Sequence, residues 1–108
     1  MLKEITFTID ARPNLQMKFC NLTATQVLSF NTTVNYDTFE QSEKAFNFVF
    51  EHTMVNLNNQ WIYLKEPSHD VYFPVDIEND LNSLQQIFIT FINLVIKPLF
   101  TQSKESSQ

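Results

Sequence analysis

The sequence predicts a small α+β domain in which an antiparallel sheet of two hairpins packs against two main helices, the C-terminal one the longest. Three observations predict it. Apolar and polar residues alternate over residues 2–9 and again through Leu15, Met17 and Phe19, the period of half-buried strands. A second pair of strand-like runs flanks Asn58 and Asn59. Residues 37–52 and 76–97 carry apolar side chains at helical spacing. A length of 108 residues fits one domain, over 1–100, followed by a flexible polar tail at 101–108.

In the first hairpin, Leu2, Ile5, Phe7 and Ile9 are the apolar strand positions, with an irregularity near Lys3 and Glu4. Residues 10–14, with Asp10, Pro13 and Asn14, read as the turn. A short helix follows, capped by Thr23 with Gln26 three residues on, and turns Leu22, Val27 and Phe30 to the core. Residues 31–35, NTTVN, lack helical strength and read as a loop.

The helix over 37–52 starts at Asp37, and Glu40 completes a capping box. Phe39, Glu43, Phe46, Val49 and Phe50 share its face, with Ala45 at the border. Phe48 points the other way, either under a neighbouring loop or toward a partner. In the second hairpin, Met54, Val55 and Leu57 lead into Asn58 and Asn59, which can occupy left-handed turn positions in place of glycine. Trp61, Ile62, Tyr63 and Leu64 lead out, with Trp61 expected in the core beside Phe46 and Phe50. Residues 71–73 form a short extended piece before Pro74.

The last helix is expected from an N-cap at Asp76, with Glu78 and Asp80 in its first turn, to residue 97 before Pro98. Ile77, Leu81, Leu84, Phe88, Phe91, Ile92 and Val95 form one stripe. Ile87, Ile89, Leu94 and Ile96 spread apolar surface round the rest of the second half. A helix apolar all round must be covered on more than one side. A small domain offers limited cover, so this half is expected to meet another chain. The expected partner-binding residues are Phe48, Ile87, Ile89, Phe91, Leu94, Ile96 and Phe100.

Composition narrows the function classes. The net charge is −5 with one arginine, Arg12, which argues against nucleic acid and against anionic membrane surfaces. The run 87–96 is too short to span a bilayer, and the first ten residues have no signal-peptide core. With Cys20 alone, no internal disulfide forms, and the expected location is cytoplasmic. Asn21-Leu22-Thr23 and Asn31-Thr32-Thr33 read as chance sequons in an Asn- and Thr-rich chain.

Glycine is absent, where an average chain of this size carries roughly seven. That removes the P-loop, the dinucleotide fingerprint and the nucleophile elbow. The two histidines and one cysteine lack zinc spacing, and the carboxylates at the two helix starts lack the calcium-loop form. Glu40 and Lys44 read as a surface i,i+4 pair. His52 suits a helix C-terminus, Ser68, His69 and Asp70 suit a solvated loop, and Cys20 suits a small buried residue. No cofactor, metal or catalytic role is expected.

Residues 43–103 resemble the tail assembly chaperones of long-tailed (siphovirus-type) bacteriophages. The matching segments are the aromatic helix at 46–50, the strand at 55–57, the Trp-containing strand at 61–66, the extended piece at 71–74 and the long helix at 77–100. The resemblance implies a non-catalytic protein of the host cytoplasm. It would bind and solubilise the phage tape measure protein until tail tube protein polymerises around it. It also implies a longer form made by ribosomal frameshift, with the tail after Phe100 as the joining region. Adaptable Phe and Met surface and an acidic balance suit such work. Two other classes stand beside it: a small acidic phage-encoded inhibitor of a host protein, and an enzyme using Cys20, His69 or Asp70. Self-association through the last helix is a further expectation.

Overall fold

The computed structural model describes residues 1–33, 39–66 and 69–98. Its architecture is α+β. The strands β1 (Ile5–Ile9), β2 (Arg12–Phe19), β3 (Thr53–Leu57) and β4 (Gln60–Tyr63) form one antiparallel sheet in the order β1-β2-β3-β4. The helices α1 (Ala24–Thr33) and α2 (Phe39–Glu51) connect its two hairpins. A second, two-stranded sheet pairs β5 (Lys65–Glu66) with β6 (Val71–Tyr72). A 3-10 turn, Val75–Asn79, then leads to α3 (Leu81–Phe91), which runs on into a π-helical segment, Ile92–Ile96, and makes the longest helix.

The two hairpins fuse because β2 pairs with β3, Met17 opposite Val55 and Phe19 opposite Thr53. Directly opposed residues share a sheet face. Phe7, Met17, Val55 and Ile62 therefore line up on the core side. The first turn is tighter than the five residues expected. Ile9 pairs with Arg12, and a register shift between Phe7 and Ile9 absorbs the difference. Pro13 is tolerated inside β2 because the pairing to β3 begins at Met17, leaving this end of β2 bonded on one side.

The second turn follows the expectation. Asn58 and Asn59 have φ of 55° and 64°, the two left-handed positions of a primed hairpin turn. Asn21 and Asp70, with φ of 59° and 53°, make the same substitution for glycine elsewhere. An Asn59→Ala replacement should lower the unfolding free energy by about 1 kcal/mol, with Asn59→Gly near neutral, as read from urea midpoints.

In α1 the capping box forms. Gln26 N donates to Thr23 Oγ1 at 3.1 Å, and Thr23 N donates to Gln26 Oε1 at 2.9 Å. Leu22, Val27 and Phe30 are buried as expected. The helix nonetheless continues to Thr33, where a loop was expected. Burial of its apolar face outweighs the weak propensity of Asn and Thr. The proposed cap at Asp37 and the rest of that loop lie outside the described residues.

Two expectations fail, one for the core and one for a helix start. Trp61 pairs with Asn56 one position out of phase with Val55 and Ile62, so it stands on the opposite sheet face. There the Lys18 ammonium lies 4.6 Å from its ring centroid. Asp76 does not cap the last helix. Ile77 is buried in the 3-10 turn, and Asp80 is the N-cap, accepting from Ser83 N at 3.1 Å.

The core centres on Phe91. Its ring lies edge-on to Phe19 at 5.3 Å, to Phe30 at 5.5 Å and to Phe48 at 6.0 Å. Phe7 stacks on Phe19 at 4.3 Å behind it. The buried side of the last helix steps by fours through Ser83, Ile87, Phe91 and Val95, and the wider π turn brings in Ile96 as well.

Candidate partner-binding groove

The seven residues expected to bind a partner do not form one surface. Ile87, Phe91 and Ile96 are core residues. Phe48 is half-buried, stacked on Phe30 at 5.0 Å and tilted against the His52 ring at 4.8 Å. Phe19 of β2, Phe30 of α1 and Phe48 of α2 all meet Phe91, so the side of the helix that carries Ile87, Phe91 and Val95 is covered by the chain itself. Ile89 and Leu94 do remain open, at 55% and 40% exposure. Phe100 lies outside the described residues, as does the tail at 101–108.

Among the described residues, an apolar groove opens elsewhere. A groove of about 410 Å³ runs between α2, β6 and the start of α3. Phe46 and Phe50 form one wall, Leu81 and Leu84 the other, with Tyr72 between them. Leu81 is 69% exposed and Phe46 41% exposed, although both were expected to face the core. Each sits at the border of an apolar stripe wider than the surface it packs against. Helical periodicity could assign them to the stripe but could not locate its edge. Glu43, also expected on the inner face, is exposed at the rim with Ser42, Asn47 and Gln85.

The groove is held by polar anchors. Phe46 is braced edge-on against Phe88 at 4.8 Å, and Phe50 against Tyr72 at 6.3 Å. Lys65 is buried, donates to Asn47 Oδ1 at 2.9 Å and pairs with Asp70 at 3.2 Å. Its ammonium lies 6.0 Å from the Tyr72 ring centroid. One cation thus ties α2, the β5-β6 turn and the aromatic residue of the groove together. Burial pushes the Tyr72 hydroxyl pKa up, with Lys65 opposing.

A second anchor fixes the wall that carries Leu81 and Leu84. Arg12 reaches from the first hairpin to Asp80 at 3.0 Å and Asp76 at 3.3 Å, and its Nε donates to Ser83 Oγ at 3.1 Å. Ser83 is buried and donates its hydroxyl to Asp80 at 2.6 Å. These bonds, from Ser83 first and Arg12 second, lower the Asp80 pKa from 3.8 to about 2. As the pH falls, the unfolded chain therefore takes up its proton before the folded chain does. The contribution is complete above the unfolded value and is lost as the pH drops through about 4 toward 2. Urea midpoints should fall over that window in the native chain, and fall less in Asp80→Asn.

Three of the residues weighed for chemistry, Cys20, His52 and Asp70, make structural contacts. Cys20 is buried, and burial raises its thiol pKa, which disfavours the thiolate. His52 Nδ1 lies 3.2 Å from the Cys20 carbonyl oxygen at the end of α2. His69 is exposed, and Asp70 is taken by Lys65. Ser68 lies outside the described residues. Among the described residues no group of three His, Cys, Asp or Glu could hold a metal ion, and no helix is long and apolar enough to cross a membrane. No family model, curated protein or solved structure matches the chain.

Proposed function

We propose that this protein is a non-catalytic binding module that shields an apolar helical segment of a larger protein. On the resemblance of residues 43–103, that protein is a phage tape measure protein, held in the host cytoplasm during tail assembly, with tail tube protein as a second partner. The observation that carries the reading is the open apolar groove walled by Phe46 and Leu81. Groove recognition of a helix works through bulky side chains at i, i+3, i+4 and i+7, and paired helical walls suit it. Covering these two partly exposed side chains supplies about 2–4 kcal/mol of the affinity.

Ile89 and Leu94 offer a smaller apolar area for self-association. The inhibitor reading draws less support. Glu4, Asp70, Asp76 and Asp80 are engaged by Lys18, Lys65 and Arg12 within the chain, rather than arrayed as a phosphate-like stripe. Co-expression tests the proposal. A tape measure protein should move into the soluble fraction and co-purify with the tagged protein. A tape measure protein that stays insoluble and uncaptured, with this chain abundant and folded, overturns it.

A further inference from the structure

We infer that the segment seated in the groove is a basic amphipathic helix, with bulky apolar side chains one turn apart and Lys or Arg on the flanks of that stripe. This rests on the groove being the partner site and adds the chemistry of the occupant. The walls supply the apolar half. Phe46, Phe50, Leu81 and Leu84 come from two helices and present bulky side chains from both walls, so a helix is the occupant that fits.

The rim supplies the charge. Glu43 lines the groove and is exposed. The Tyr72 hydroxyl also lies in the field of Glu78 and Glu51, both exposed, while Asp70 and Lys65 beside it are paired with each other. Lys44 follows Glu43 on α2 but does not line the groove. Consecutive helix residues point about 100° apart. Among the described residues the groove lining thus carries one acidic side chain, Glu43, and no basic one, on a chain that is itself −5. Such a rim attracts a cationic flank and repels an acidic one.

Two synthetic helical peptides of about 16 residues test this, with one leucine stripe in common and flanks of either lysine or glutamate. Fluorescence anisotropy should show the lysine peptide binding at least about tenfold tighter at low salt. Most of that preference should vanish in high salt and in the Glu43→Lys, Glu78→Lys double variant. Leu81→Asp should remove binding of both peptides, with circular dichroism confirming that each variant is folded. Equal affinity for the two peptides overturns the basic-helix inference and leaves the groove reading standing. Binding of neither peptide overturns both. Lysine-peptide binding that survives Leu81→Asp places the contact on general surface charge and also overturns the inference.

Discussion

Replacing Phe91 with alanine should lower the unfolding free energy by about 3–5 kcal/mol, the range for truncating a buried aromatic residue. Phe91 is fully buried and touches rings from three other elements: Phe19 of β2, Phe30 of α1 and Phe48 of α2. These rings sit on separate backbones, so they cannot all collapse into the space it leaves. A domain of this size is stable by about 5–15 kcal/mol, so the variant loses a large share of its stability. Urea denaturation followed by circular dichroism gives the number. Ile89→Ala, two positions away but exposed, should change stability by no more than about 0.5 kcal/mol. A similar loss in both variants would contradict the assignment of Phe91 to the core.

Replacing Leu81 with aspartate should leave the fold intact and weaken partner binding at least about tenfold. Leu81 is the first residue of α3, next to the Asp80 cap, and most of its side chain faces solvent. In the free chain the substitution therefore buries no charge. In a complex it would place an unpaired carboxylate against apolar side chains, beside the existing Glu43 and Glu78. A pull-down of tape measure protein with native and variant chains, matched for thermal melting, measures the difference. Phe46→Ser on the facing wall should act in the same direction.

The fold was legible because its local signals agree with its long-range contacts. The alternation in β1 and β2, the Asn58-Asn59 turn, the Thr23 capping box and the apolar rows of α2 and α3 each specify one element, and the elements fit together. The site was much less legible. The excess of apolar residues on the last helix was read as surface for a partner. Much of it is filled by Phe19, Phe30 and Phe48, whose approach depends on tertiary placement. Trp61 went to the wrong face because its phase is set by the register of β3 against β4. Asp76 misses the cap because the 3-10 turn at Val75–Asn79, which buries Ile77, moves the helix start to Leu81 and puts Asp80 in the cap position. Phe46 and Leu81 belonged to correctly recognised stripes, but which stripe members stay uncovered depends on where the neighbouring elements end.

Backbone amide shifts of the isotope-labelled protein, titrated with a helical tape measure segment, test the groove most directly. The largest changes should fall at Phe46, Phe50, Tyr72, Leu81 and Leu84, the walls of the groove. Changes confined to Ile89 and Leu94, or to the outer sheet face around Trp61 and Tyr63, would contradict it.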